Sequence, residues 1–219
     1  MVRDRLAFHR VALTLLLLVL GGLLVSVLRG VLQKLVLLAV PTLALLAVLG
    51  TAPGTHASFE FLNMELILGR ADALSLVFAH VFAIMALIGA IYALHVRDTI
   101  QHVAALIYAG SAMGVVFAGD LATLYIFWEL MMLSSVWLIW RNRRAASLAA
   151  GFRYLMVHAV SGVLLLAGIV IYYTQTGSLS FNDIRAGGAA FWLILIGFMI
   201  NAAVPPLHAW LTDATRRAR

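Results

Sequence analysis

Apolar positions run along the chain in seven long blocks: Val11 to Leu28, Val31 to Gly50, Ala73 to Leu94, Val103 to Ala118, Leu121 to Trp140, Leu155 to Tyr173 and Ala189 to Leu211. Each approaches or exceeds the roughly 20 residues that a helix needs to cross a bilayer. The blocks are apolar nearly all round, as expected of membrane spans. The first block follows Arg3, Arg5 and Arg10 and resembles a signal peptide, but a second apolar run begins almost at once and no clear small-residue cleavage site intervenes. We read it as a retained helix. The one long connection, Thr51 to Asp72, contains an alternating stretch from Ser58 to Leu68 that predicts a strand or short hairpin outside the membrane, or an ordered loop.

Composition agrees with a polytopic all-α membrane bundle of about seven helices: 64% of residues are hydrophobic and 11% charged, with mean hydropathy +1.04. An average soluble domain carries about 25% charged residues. Net charge is +6, but the fifteen basic residues are scattered between apolar runs and do not form a nucleic-acid patch. They read as topology signals. Counted by connection, ten lie on the side of the Arg141 to Arg153 loop and five on the other. The positive-inside rule then makes that loop cytoplasmic and the N-terminus external, against the chain's own first three arginines. With no cysteine there is neither a disulfide nor a thiolate metal site. No phosphate loop, nucleophile elbow or metal-ligand cluster appears, so we expect no cofactor, no metal and no enzyme acting alone.

Two features within the spans carry candidate chemistry. Glu129 lies in the middle of the otherwise uncharged block Leu121 to Trp140. A carboxylate at the centre of a spanning helix costs roughly +2.5 to +3.5 kcal/mol on insertion scales, and such groups usually face the bundle interior to move ions or to pair. In the seventh block, Pro205 and Pro206 remove backbone donors well inside the span and predict a broken helix, a device transporters use to place polar groups at mid-depth. Asn201 then falls roughly 18 Å in from Ala189 at ~1.5 Å per residue, a depth at which it can meet Glu129. Gly110 and Gly114 have the spacing of close helix contacts, and packing is the reading we take.

The motifs Gly-Asp-Leu-Ala-Thr-Leu-Tyr-Ile-Phe-Trp-Glu-Leu-Met (Gly119 to Met131) and Ala-Ala-Val-Pro-Pro-Leu-His-Ala-Trp-Leu-Thr-Asp-Ala (Ala202 to Ala214) resemble the fifth and broken seventh helices of the antiporter-like subunits shared by Mrp-type cation/proton antiporters and respiratory complex I. The stretch from Leu94 to Gly119 looks closest to the D-type member of the Mrp antiporters. The resemblance implies half of an inverted-repeat subunit. One membrane domain would cover 1–219, with a leading helix pair (11–50), an external loop or hairpin (51–72), a third helix (73–94) and an incomplete first repeat (103–211). It implies other membrane subunits as partners, with a separate polypeptide supplying the remaining helices, in the bilayer of a bacterial inner membrane. From Thr212 onward the chain departs from the family's Leu-Pro-Asp-Ala. A second departure is Asn201, where most members carry a lysine. Asparagine cannot carry a proton, so the resemblance points to a Glu129 that loads and releases a proton without a standing ion pair.

The proton-translocation candidates are Glu129, Asn201, His208, His158 and His80. Histidine titrates near neutrality and can relay protons, but a lone histidine bonded to a backbone carbonyl is as good a reading for His80 and His158, and a polar cap on the broken helix for His208. His95 and His102, beside Arg97 and Asp98, read as interface residues; Arg153 reads as snorkelling and Asp120 as a charge at a helix N-terminus. Trp128, Trp137, Trp140, Tyr172 and Tyr173 read as lipid or interface anchors. Three functions follow: a subunit of a Na+/proton antiporter, a subunit of a redox-driven proton pump, or a non-conducting structural subunit.

Overall fold

The computed structural model describes every residue except 1, 62–63, 142–144, 182–183, 185, 207, 209 and 213–219, with the backbone alone for 2–10 and 12. The order is α1 (Val2–Val27), α2 (Gly30–Leu49), β1 (Gly54–Phe61), β2 (Met64–Ala71), α3 (Ala73–Ala93), α4 (Thr99–Phe117), α5 (Leu121–Trp140), α6 (Ala145–Thr176) and α7 (Ala189–Asn201). Among the described residues, α2 to α6 are each long and apolar enough to cross a membrane, and Leu13–Val27 and Ala189–Asn201 are shorter apolar helices. The protein is a multi-pass helical membrane protein. Its chain forms two compact units, Met1–Met131 and Met132–Arg219, with the boundary inside α5.

In the first unit α1 packs on α2 and α4, α2 on α3, and α3 on α4, so the four helices form a closed set of neighbours. Their shared interior holds Val11, Leu18, Val40, Val48, Leu106, Met113 and Phe117. Lipid tails are as apolar as leucine, so helices associate here through close packing and small residues. Gly110 supplies one such contact: a Cβ there would lie 2.9 Å from the side chain of Val19 on α1. Gly114, one turn on, lies under the ring of Phe127 on α5.

The Thr51 to Asp72 connection is an antiparallel hairpin, with Phe61 opposite Met64 and Gly54 opposite Ala71, and an irregularity around Thr55 to Ser58. Asp72 ends it and starts α3 through a reciprocal capping box: its Oδ1 accepts the Ser75 N–H at 2.7 Å, and Ser75 Oγ accepts the Asp72 N–H at 2.7 Å. These contacts, the Ser75 amide first, hold its carboxyl below the usual aspartate range. Asp98 caps α4 in a simpler way by accepting the Ile100 and Gln101 amides.

In the second unit α6 runs along α7, with Ser161 donating to the Gly197 carbonyl at 2.8 Å. The α5 part of this unit contributes Met132, Val136 and Ile139 to a small core with Tyr154. Helix α6 is longer than the apolar block that predicted it, because the alanine-rich 145–151 stretch favours helix and Arg153 does not interrupt it. Helix α7 is shorter: the expected break at Pro205-Pro206 falls upstream, after Asn201. Proline has no N–H for the carbonyl four residues before it and its ring clashes there. For Pro205 that carbonyl belongs to Asn201.

Candidate functional site

Glu129 is carried by α5, and the start of α5 is unusually well held. Asp120 accepts the Thr123 N–H at 2.8 Å and the Thr123 hydroxyl at 2.7 Å, closing the first turn. Its Oδ2 also accepts the Ile67 N–H from β2 at 2.6 Å, and the Gly119 N–H donates to the Ile67 carbonyl at 2.8 Å. The carboxylate is 2% exposed. Asp120 therefore does more than place charge at a helix N-terminus: it clasps the hairpin to α5. Glu129 lies nine residues further, about 13 Å along the axis. It is half-buried, and within its unit no described group hydrogen-bonds its carboxylate; the titratable neighbour its charge reaches is Tyr125, one turn back.

The other candidates in the first unit are satisfied locally. His80 Nδ1 lies 2.6 Å from the carbonyl of Leu76, one turn back on α3, as its structural reading requires. His102 is buried, with Nε2 3.0 Å from the Val96 carbonyl. His95 is exposed and bonded to the Tyr92 carbonyl. An apolar cavity of about 540 Å³ is lined by Phe82, Met85, Tyr108, Trp128 and Met131 among others, without Glu129.

In the second unit the geometry gathers around the end of α7. The Ala203 amide bonds the Ile200 carbonyl and the Val204 amide the Met199 carbonyl, a Schellman arrangement in which Ala203 takes φ 52°. Pro205-Pro206 follows as a cis pair. The chain then returns: Trp210 Nε1 donates to the Ile200 carbonyl at 2.9 Å as that oxygen's second hydrogen bond. The same indole lies edge-on to His158 (centroids 4.5 Å apart, 80°), which in turn stacks on Tyr154 (4.1 Å, 31°). Tyr154 meets Ser135 through a 2.6 Å hydroxyl pair. His158 Nε2 and both amide atoms of Asn201 are buried with no hydrogen-bond partner among the described residues. His208 is exposed.

Sequence reasoning missed Trp210, Tyr154 and Ser161 here. The spacing Tyr154, His158, Ser161 is the i, i+4, i+7 signature of one helix face, and it marks the polar lane of α6. Tyr172 is likewise buried, its hydroxyl donating to the Ser180 carbonyl, whereas Trp137 is exposed. Arg143, Arg144 and the divergent end from residue 213 lie outside the described residues.

Residues 118–218, which include α5 and the broken α7, match the family described as NADH:quinone oxidoreductase/Mrp antiporter, TM. That stretch, and not the whole chain, is similar to this antiporter-like family. It is 32% identical over 121 residues to the A1 subunit of the Na(+)/H(+) antiporter of Staphylococcus haemolyticus, covering 50% of the chain and 15% of that protein. It is 29% identical over 171 residues to the putative antiporter subunit mnhA2 of Staphylococcus epidermidis, covering 70% and 21%. These relatives carry A-type names, not the D-type that the sequence reading placed nearest. Among solved structures, the Mrp complex from a Dietzia species superposes with a TM-score of 0.78 at 23% identity, covering 99% of the chain and 44% of that chain. A chain of respiratory complex I from Thermus thermophilus gives 0.81 at 23%, covering 93% and 46%. The chain thus spans under a quarter of the length of these curated relatives and about half of the solved chains, which it matches in fold.

Proposed function

We propose that this antiporter-like subunit takes part in proton translocation within a multi-subunit Mrp-type cation/proton antiporter, with Glu129 as the group that gains and loses the proton. One observation carries the reading: a carboxylate placed mid-way along an apolar spanning helix, with no hydrogen-bond partner among the described residues of its own unit. A carboxylate kept at such a place against its insertion cost is a functional group by default. The relatives' names as Na(+)/H(+) antiporter subunits support Na+ as the exchanged cation. Other membrane subunits would complete the machine. The assembly would sit in a bacterial inner membrane with the Arg141 to Arg153 loop in the cytoplasm.

The test is Na+-driven proton flux in everted membrane vesicles that hold the whole complex. Glu129→Gln keeps the shape and removes the titration, and flux should fall to background while the complex assembles in normal amount. Flux at the wild-type rate in that variant overturns the reading. A second reading, a non-conducting structural subunit, is favoured by Asn201, a neutral amide at the helix break. Under it, Glu129→Gln lowers complex yield and leaves flux per complex unchanged.

A further inference from the structure

We propose that His158 and Asn201 hold a buried water beside the break in α7, and that the His158 imidazole takes up and releases protons through it. This rests on the reading of the chain as part of a proton-translocating machine, to which it adds a second titratable station, wholly within the second unit.

Three polar atoms carry the argument. His158 Nε2, Asn201 Nδ2 and Asn201 Oδ1 are shut off from the exterior without a hydrogen-bond partner among the described residues. Buried polar atoms in folded proteins are nearly all paired, by protein or by ordered water. A buried water typically makes about three hydrogen bonds and needs at least two polar partners. One amide, which both donates and accepts, and one imidazole nitrogen form a complementary set.

The register of the elements puts the two residues at one level. Helices α6 and α7 are in register where Ser161 bonds the Gly197 carbonyl. From there one turn back along α6 reaches His158, and one turn forward along α7 reaches Asn201. Trp210 spans the same level, holding the Ile200 carbonyl while its ring lies against His158. Two aromatic neighbours, Tyr154 and Trp210, fix the pose of the imidazole, and Tyr154 continues the polar lane to Ser135. Alanine, leucine or phenylalanine would fill the same space without orphaning any atom.

The remaining charged or titratable side chains on the packed elements are few. Helix α6 carries Arg153 and Tyr154 near His158; α7 has none; residues 132–140 of α5 have none; His208 follows the break and is exposed; Asp213 lies outside the described residues. His158 is therefore the titratable group at this level whose nitrogen meets the water. The step is a simple transfer: an excess proton delivered to the bound water as hydronium moves to Nε2, giving imidazolium and leaving neutral water, and the reverse step returns the proton to the water and restores the neutral ring. Asn201 positions the water and does not ionise.

The test uses the full complex in lipid nanodiscs, with histidine labelled with ¹⁵N, and follows magnetisation transfer from water to each imidazole by solid-state NMR. One histidine resonance should disappear in His158→Gln and, in the unmodified protein, should show rapid transfer from water. In Asn201→Leu that resonance should persist with transfer reduced severalfold. A dry His158 overturns the site, and transfer untouched by Asn201→Leu overturns the shared water. Proton carriage is read separately: His158→Gln, which can still hydrogen-bond a water, should slow proton flux at least about ten-fold in an assembled complex. Flux at the wild-type rate overturns the relay. Because the water readout needs no transport, it stands or falls apart from Glu129: if Glu129→Gln conducts normally, the transport reading fails whatever the NMR shows.

Discussion

At the scale of single residues, Asp120 shows how much one carboxylate decides. It accepts from Thr123 twice and from the Ile67 amide once while almost wholly buried. Leaving a buried donor unpaired costs about 1–3 kcal/mol, and losing a helix cap about 1 kcal/mol. Asp120→Ala should therefore destabilise the protein by roughly 2–4 kcal/mol, read as a lower midpoint of thermal unfolding in detergent, whereas Thr123→Ser should retain most of the stability. An unchanged midpoint in Asp120→Ala would contradict the clasp. Asp72 makes a pH-dependent prediction. Its carboxyl is held below the ordinary aspartate value by the Ser75 amide, so its contribution is present above that value and is lost as pH falls through the lowered one. Asp72→Ala should cost about 1 kcal/mol at neutral pH, and the difference from wild type should shrink as pH falls through the lowered value. Sequence reading found Asp120 at the helix start and Glu129 in the span, because charge in an apolar run is conspicuous. It had no means to see Ile67, which is 53 positions away from its partner.

At the scale of elements, the end of α7 follows from proline chemistry, yet the position of the break needed the structure. The helix stops at Asn201 because Pro205 cannot serve that carbonyl, and the chain turns through Ala203 at φ 52°. A left-handed conformation costs a non-glycine residue about 1 kcal/mol, so Ala203→Gly should stabilise the break by about that amount, measured as a raised unfolding midpoint. A lowered midpoint would show that the Ala203 methyl packs. The hairpin illustrates the opposite case: alternation between Ser58 and Leu68 predicted strands, and β1 and β2 pair as expected. Helices α4 and α6 begin earlier than their apolar blocks because a helix can project beyond the bilayer with polar residues in its first turns, where Asp98 caps α4 and alanines extend α6. Hydrophobic windows measure the slab of lipid and not the helix.

For the whole molecule, charge distribution and the hairpin make the orientation testable. The chain has no cysteine, so single introduced cysteines report cleanly. Ser58→Cys, exposed on β1, should react with an impermeant thiol reagent added to intact cells, and Arg141→Cys should react only after the cytoplasmic face is opened. The reverse pattern would invert the topology. The sequence alone determined membrane residence, the helix count, the intramembrane carboxylate and the broken last helix, because each is a property of local composition: apolar length, a buried charge, a missing amide donor. Tertiary structure decided which polar groups are spent and which are left over. His80 and His102 look no different in sequence from His158, but a carbonyl lies within hydrogen-bond reach of the first two, while packing of α6 on α7 and the return of Trp210 bury the third without one. Hydrogen-bond satisfaction depends on neighbours distant along the chain, and only the folded arrangement supplies them.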